Sequence, residues 1–549
     1  MKKVLVLLVL ITFMGFAQSE DVPVDHKVYD FLERLSVLHV IDNYNSFEIP
    51  VSRKQIAGFL TEASKKDTLL TKVDRQRLAD LKQEFEFDIT GTLTSSEVLF
   101  GGENYELLSP NPKYFYSYNK PGTGNVFINL LAGGGIVNYK TLSENSTSIL
   151  AYYGGEIRGT LMDHVGFYIK GTNGNVFGRR EAALHLNNLK YNWDLTTKAN
   201  TFYDETEGYV TLDYDAIKLK FGRDRQLIGQ GVNKLILSDN SPECDFLSMN
   251  FHLGIIEFSS FHGKILGNRG EIVDTSAGGL ATVEDKYFGY HRLAFNFSKD
   301  FSLGLGEVIV YANRSIDLGY LNPFSLYKTV EHSGQDRDNS MMFLDMTSSP
   351  LKGLKLYSLL LIDDIDFGKA GTGWFGNQTV FDLGASGYST VKDIPVDYCF
   401  EYFRIEPYVF THRISSNNYT NEGFNIGLDS DPNSKIFFWK IGCQPTSRIN
   451  LFAQYTYRVH GANPVDPVTG AVITNVGGDV LLGHREYDPK YLHFLDGNIE
   501  YYRRLTIGAG YEPCTGYIFK LMLTNDTNSL QNNVKVKNWF SQAALSLRL

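Results

Sequence analysis

From Lys113 to the C-terminus, apolar and polar residues alternate with a period of two, the pattern of strands that turn one face to an apolar surrounding and the other to water. Leu451, Ala453, Tyr455, Tyr457 and Val459 alternate with Phe452, Gln454, Thr456, Arg458 and His460. Ile217, Leu219 and Phe221 alternate with Lys218, Lys220 and Gly222, and Val165, Phe167 and Ile169 with Gly166, Tyr168 and Lys170. In Leu505, Ile507, Ala509 and Tyr511 against Arg504, Thr506, Gly508 and Gly510, the polar face carries glycines, which suit a crowded interior. The last stretch puts Trp539, Ala543, Leu545, Leu547 and Leu549 on one face and Gln542, Ser546 and Arg548 on the other, as expected of a strand that closes a barrel.

Ahead of the strands the spacing is helical. Val28, Phe31, Leu32, Leu35 and Leu38 predict a helix from about Asp25. Ser52 and Gln55 have the spacing of a capping box before Ile56, Phe59 and Leu60. A third helix is predicted from Thr71 to Phe87, with Val73, Leu78, Leu81 and Phe85 opposed to Lys72, Asp74, Arg75, Asp80, Lys82 and Glu84. Three short amphipathic helices need a surface to cover, and the mouth of a barrel offers one.

The first residues decide where such a barrel would sit. Lys2 and Lys3, the apolar run Val4 to Phe16 and the small residues around Gly15-Phe16-Ala17 predict a signal peptide over residues 1–17, cleaved after Ala17 with no cysteine following to take a lipid. No later segment is apolar enough to cross a membrane as a helix. An exported, strand-rich chain of this kind predicts a mainly β fold, a transmembrane antiparallel β-barrel in the outer membrane of a Gram-negative-type bacterium. The expected division is a signal peptide over 1–17, a three-helix periplasmic plug over 18–90, and a barrel with long extracellular loops over 91–549. Roughly 440 strand-region residues at about 24 per strand give on the order of 18 strands. Asn173 to Thr206, His262 to Tyr287, Pro323 to Asn339 and Asn463 to Tyr491 exceed tight turns and are expected as extracellular loops or lumenal constrictions.

Composition agrees: 33 Tyr, 37 Phe and 51 Gly stand against 16 Pro, and only 43% of residues are apolar, because half of each barrel strand faces a polar lumen. A net charge of −10 without a basic block argues against a nucleic-acid partner. Cys244, Cys399, Cys443 and Cys514 lack metal-ligand spacing and read as packing residues or one incidental disulfide. No metal or cofactor is expected.

Several segments resemble the Wzi capsule-assembly family: Phe31-Leu32-Glu33-Arg34-Leu35, Ile49-Pro50-Val51-Ser52-Arg53, Leu219-Lys220-Phe221-Gly222-Arg223-Asp224, Ile228-Gly229-Gln230-Gly231 and Leu235-Ile236-Leu237-Ser238-Asp239-Asn240. Tyr320-Leu321-Asn322-Pro323, Asp338-Asn339 and Leu360-Leu361-Ile362-Asp363-Asp364 extend the likeness in family order over most of the mature chain. The resemblance implies a barrel of about eighteen strands with a helical bundle on its periplasmic side. It also implies a lectin that attaches or organises exported capsular polysaccharide, and neither an enzyme nor an open channel.

Candidate binding residues are read against plainer structural roles. Arg223 and Arg225 leave a strand whose polar face holds Lys218 and Lys220, and their guanidinium forks match the carboxylates of acidic sugars. The plainer reading is an ion pair, of Arg223 with Asp224 or Asp363. Trp374 and Phe375, set in Gly371-Thr372-Gly373-Trp374-Phe375-Gly376, are sugar-stacking candidates on an exposed, mobile loop. His484 and Arg485, like His332, fall in expected loops, where sugar contacts and loop-stabilising hydrogen bonds are both open. Tyr114, Phe115, Tyr116, Tyr118, Tyr501 and Tyr502 read better as membrane-interface girdle. Asp363, Asp364 and Asp366 are paired carboxylates of the kind glycoside hydrolysis needs, but strand neighbours point to opposite faces and read as a solvated strand end. The sequence therefore predicts a non-enzymatic, monomeric outer-membrane lectin for capsular or other surface polysaccharide, in contact with outer-membrane lipid. A porin-like channel for small solutes or oligosaccharides is the alternative, and an outer-membrane hydrolase ranks third.

Overall fold

The structure, a computed structural model, describes residues 18–102, 105–196, 198, 200–214, 216–269 and 283–549. The signal-peptide stretch 1–17 lies outside the described residues, as does 270–282 within the expected loop His262 to Tyr287.

Eighteen antiparallel strands close into a barrel, as the alternation predicts. They are β1 (Gly124–Lys140), β2 (Asn145–Leu161), β3 (Val165–Gly178), β4 (Phe202–Asp213), β5 (Ile217–Asp224) and β6 (Cys244–Leu253). There follow β7 (Ile256–Arg269), β8 (Val283–Ser298), β9 (Phe301–Ala312), β10 (Asn339–Leu351), β11 (Leu354–Asp364) and β12 (Gln378–Val391). The last six are β13 (Ile394–Ile405), β14 (Ser434–Thr446), β15 (Ile449–Ala462), β16 (Asn498–Tyr511), β17 (Tyr517–Ser529) and β18 (Lys535–Arg548). Pairing of β18 with β1, from Trp539↔Lys140 to Arg548↔Leu131, removes the two edges that could not stand unpaired in lipid. The strand Lys113–Lys120, where the alternation begins, lies beside β1 beyond the end of β18 and covers the remaining half of its edge. Ile217, Leu219 and Phe221 face outward and Lys218 and Lys220 inward, and the other alternations quoted above divide in the same way.

At one end the strands join by short turns such as 254–255, 299–300, 352–353 and 392–393, and at the other by long connections. In outer-membrane barrels generally, long connections lie on the extracellular side and short turns on the periplasmic side. Among the described residues the long connections are 179–201, 225–243, 313–338, 365–377, 406–433 and 463–497. The sequence expected the first from Asn173, but the strands continue into their loops because alternation persists to Phe177 and resumes at Phe202. It did not mark 406–433 as a loop, although Asn, Ser, Asp, Gly and Pro crowd that segment.

Helices α1 (Val28–Val37), α2 (Arg53–Ser64), α3 (Lys72–Glu84) and α4 (Glu86–Thr90) sit at the short-turn end. Ser52 and Gln55 form the capping box at the start of α2. The predicted third helix divides at Phe85 into α3 and α4, and Gly91 in the left-handed region stops the chain there. Phe31, Leu32, Leu35, Ile56, Leu60, Leu78, Leu81 and Phe85 form one buried cluster. Arg34 bonds Asp74 through both oxygens at 3.0 and 2.9 Å and also reaches the Ser389 carbonyl of β12. Gly353 in a short turn donates to the Val37 carbonyl, and Lys27 pairs with Glu512 at 2.6 Å.

Ahead of the helices, residues 18–22 run inside the barrel. Glu20 pairs with Arg158 at 2.7 Å and accepts from the Thr160 hydroxyl, while Asp21 accepts from both Lys218 and Lys220. Burial alone would raise the Asp21 carboxyl, and the two ammonium groups outweigh it and hold it below the usual carboxylate value.

The lumen is divided. Along β6 to β14 the inner wall carries an apolar cluster, in which Leu235, Ile236 and Leu237 of 225–243 pack with Val409, Phe410, Tyr419, Ile426 and Leu428 of 406–433 against Phe261, Phe288, Phe343, Leu359 and Phe403. Gly231 makes the turn at φ 61, where a Cβ would run into the Glu401 carboxylate. That carboxylate accepts from the backbone of Val232 and Asn233. Along β18 and β1 to β4 the connection 179–201 also folds inward, packing Ala182, Ala183, Leu189 and Leu195 on Val137, Leu150, Val176 and Phe540, while Lys520 and Arg504 remain exposed on the inner faces of β17 and β16. The four cysteines are free thiols, and no disulfide forms among them.

Candidate functional site

The long connections build a mouth at which four of the sequence-predicted residues meet. Gly371 (φ 72) and Gly373 (φ 78) turn the 365–377 connection so that Gly373 accepts from the Leu492 N–H at 2.7 Å and Phe375 donates to the Lys490 carbonyl at 3.0 Å. These bonds tie it to 463–497. The loop is therefore half-buried and anchored, not free as the glycines suggested. Phe375 stacks on His484 with centroids 3.7 Å apart and meets the edge of Tyr408 at 5.9 Å. Tyr408 is fully buried and donates its hydroxyl to the Asn475 carbonyl, which fixes the base of the stack. Trp374 leans on Phe375 at 5.4 Å, and the Lys369 ammonium lies 3.9 Å from the centre of its ring. Arg485 grips Asp488 through Nε and Nη2 and lies 4.7 Å from the ring of Tyr487, which is 78% exposed. Burial would raise the Asp488 carboxyl, and Arg485 outweighs it and holds it below its ordinary value.

Arg223 and Arg225 do not join this mouth. Arg223 faces outward and bonds Asp245 on β6 at 2.9 and 3.1 Å, so neither Asp224 nor Asp363 is its partner. The physical reason is alternation: Asp224 points inward to Lys220, and Asp363 is buried under the Phe410 N–H at 2.8 Å. Arg225 points inward and pairs with Glu243 at 3.0 Å. Asp364 is exposed, and Asp366 pairs with Lys369, so the three aspartates form no carboxylate pair. His332 lies in the helix Tyr327–Ser333 of the 313–338 connection, with Asp336 at 3.9 Å.

A second polar space lies inside the short-turn end, between residues 43–59 and the inner faces of β5 to β8. It is a cavity of about 420 Å³ lined by Tyr44, Glu48, Lys54, Lys218, Asn250 and Arg292, among others. Among the described residues no group of three His, Cys, Asp or Glu side chains is placed to hold a metal ion.

Sequence reasoning missed Tyr408, Tyr487, Asp488, Tyr491 and Lys369. Asp488 follows Arg485 by three residues and had a local signal, whereas Tyr408 meets Phe375 only through the fold. The mouth offers aromatic faces beside an anchored guanidinium and exposed tyrosine hydroxyls. This chemistry suits ligands with apolar ring faces and polar rims.

The sequence matches no protein-family model and no curated protein sequence. Among solved structures, the chain is similar in fold to Wzi of Escherichia coli, described as an outer-membrane protein of group 1 capsule assembly and a carbohydrate-binding β-barrel. The two share 13% identity over 96% of this chain and 99% of that one, with a TM-score of 0.57. OccK11 and OprD of Pseudomonas aeruginosa align over 77% of the chain at 11% and 10% identity, with TM-scores of 0.43 and 0.41. At these identities the likeness is one of fold, an outer-membrane barrel.

Proposed function

We propose that this chain is a non-enzymatic outer-membrane lectin that binds exported capsular or other surface polysaccharide at its long-loop mouth and helps attach or assemble it at the cell surface. The observation that carries the reading is the Phe375–His484 stack, with Trp374, Arg485 and Tyr487 around it. This is a fixed aromatic and cationic surface built from two connections. The description of Wzi as carbohydrate-binding supports it by analogy of fold. In the same reading, residues 18–90 act as a periplasmic plug, and the protein works as a monomer.

The test is binding of surface polysaccharide, purified from the producing cell, to the mature protein in calorimetry. Binding that is lost in the Trp374→Ala/Phe375→Ala variant supports the reading, and no binding by the parent protein overturns it. A porin-like channel is the second reading, favoured by the exposed lumenal Lys520 and Arg504. Steady ion conductance of the full mature chain in a planar bilayer would select it.

A further inference from the structure

At the long-loop end, the outer wall of the barrel carries charge unevenly. On one side, Arg223 of β5 bonds Asp245 of β6, and Lys264 of β7 pairs with Asp285 of β8 at 2.7 Å, so the outward charges cancel. From β13 round to β1 they do not. Arg404 lies opposite Lys435, Tyr457 opposite Arg503, Thr527 opposite Lys537, Ser529 opposite Lys535 and Trp539 opposite Lys140, all on the outward face. Arg404 has Glu406 at 2.5 Å. Among the described residues no carboxylate pairs with Lys435, Arg503, Lys535, Lys537 or Lys140.

These five cations stand at and just beyond an outward band of Trp439, Tyr455, Tyr457, Tyr501 and Trp539, the aromatic girdle of a membrane interface. Arg503 lies 5.5 and 5.6 Å from the rings of Tyr457 and Tyr501, which fixes its height at that boundary. Strands about 4.8 Å apart spread the sector over roughly 29 Å from β13 to β1, about the span of a few lipid headgroups. Outward Thr527 and Ser529 on β17 place hydroxyls between the cations of β16 and β18. Unpaired cations at headgroup depth call for anions, and hydroxyls among them suit sugar oxygens.

We propose that this sector binds a phosphorylated glycolipid of the membrane's outer leaflet, its phosphates on Lys435, Arg503, Lys535, Lys537 and Lys140. The proposal needs the membrane-spanning fold and the outward long-loop end, and it is independent of the lectin reading.

Native mass spectrometry of the full mature protein tests it, with purified outer-membrane glycolipid, the same glycolipid dephosphorylated, and phosphatidylglycerol as probes. The phosphorylated glycolipid is expected to bind most tightly. K435Q/R503Q/K537Q is expected to weaken it on the order of 100-fold, while R223Q/K264Q leaves it unchanged. The charge-retaining K435R/R503K/K537R variant is expected to keep binding, which separates loss of charge from loss of fold. Equal binding of the dephosphorylated glycolipid, equal binding of phosphatidylglycerol, indifference to the triple glutamine variant, or a dimer that covers the sector would each overturn it.

Discussion

Asp21→Asn is the sharpest probe of how the N-terminal segment is held in the barrel. The substitution keeps the shape of the side chain and removes a carboxylate that meets both Lys218 and Lys220. Both ammonium groups then lose a partner in a closed space, and Lys220, whose side chain is 3% exposed and lies 3.8 Å from the Tyr209 ring centre, keeps Asp224. Removing one member of a buried pair costs about 3–5 kcal/mol, and the remaining Asp224 argues for the lower figure. About 3 kcal/mol raises the undocked population on the order of 100-fold. Hydrogen exchange of residues 18–22 in the detergent-solubilised protein reads that population directly. The control is Asp21→Asn with Lys218→Met, which removes both members of one pair and is expected to restore most of the protection. Equal protection in the single variant and the parent would refute the reasoning, as would a double variant no better than the single one.

The same latch responds to acid. Asp21 and Glu84 are both held below their ordinary values of 3.8 and 4.5, so their stabilisation is present above those values and fades as pH falls through the lowered ones. Protection of residues 18–37, taken relative to the intrinsic exchange rate at each pH, is expected to be high at pH 5 and lower near pH 3, and a flat profile would contradict this. Phe375→Ala removes a stacked and an edge-on ring contact at about 0.5–1.5 kcal/mol each, and is expected to weaken polysaccharide binding about tenfold by calorimetry. Gly231→Val forces a β-branched side chain into the left-handed region and against Glu401, so the thermal transition of the purified barrel is expected to fall by several degrees. Arg34→Met leaves Asp74 buried without its guanidinium, and is expected to raise proteolysis of residues 18–90 while the barrel stays intact.

The barrel was legible because alternation is a local property. Each stretch from Val165 to Leu549 declares its two faces, and lipid demands that the apolar one face outward. What alternation cannot show is which inward residues meet. Arg223 and Asp224 are neighbours in sequence, yet their partners, Asp245 and Lys220, lie on opposite sides of the wall. Trp374, Phe375, His484 and Arg485 were each found as loop residues, but their convergence depends on the Leu492 and Lys490 backbone bonds, which no local pattern encodes. The connections 225–243 and 406–433 show the same limit. Each mixes a few apolar residues that fill the lumen, such as Leu235 and Phe410, with Asn, Ser, Asp and Gly, and no local period shows that they turn inward.

That filling bears on function. A barrel of eighteen strands is wide enough for an aqueous bore, and in this one residues 18–22 and the inward connections 179–201, 225–243 and 406–433 take up part of it. The inward connections close the side along β6 to β14 with an apolar core of the kind that stabilises a soluble domain. A solute path would have no use for such a core, since every buried phenylalanine there takes up width without offering a polar contact. For a surface that must hold a long chain against drag, the same core is useful, because it roots Tyr408 and the 406–433 connection, and through them Phe375, in the wall. Lys520 and Arg504 stay exposed on the inner faces of β17 and β16, the side on which an ion path would run. If Asp21→Asn opens steady conductance, the ions pass along that side, and substitution of Lys520 by Glu should shift the selectivity toward cations.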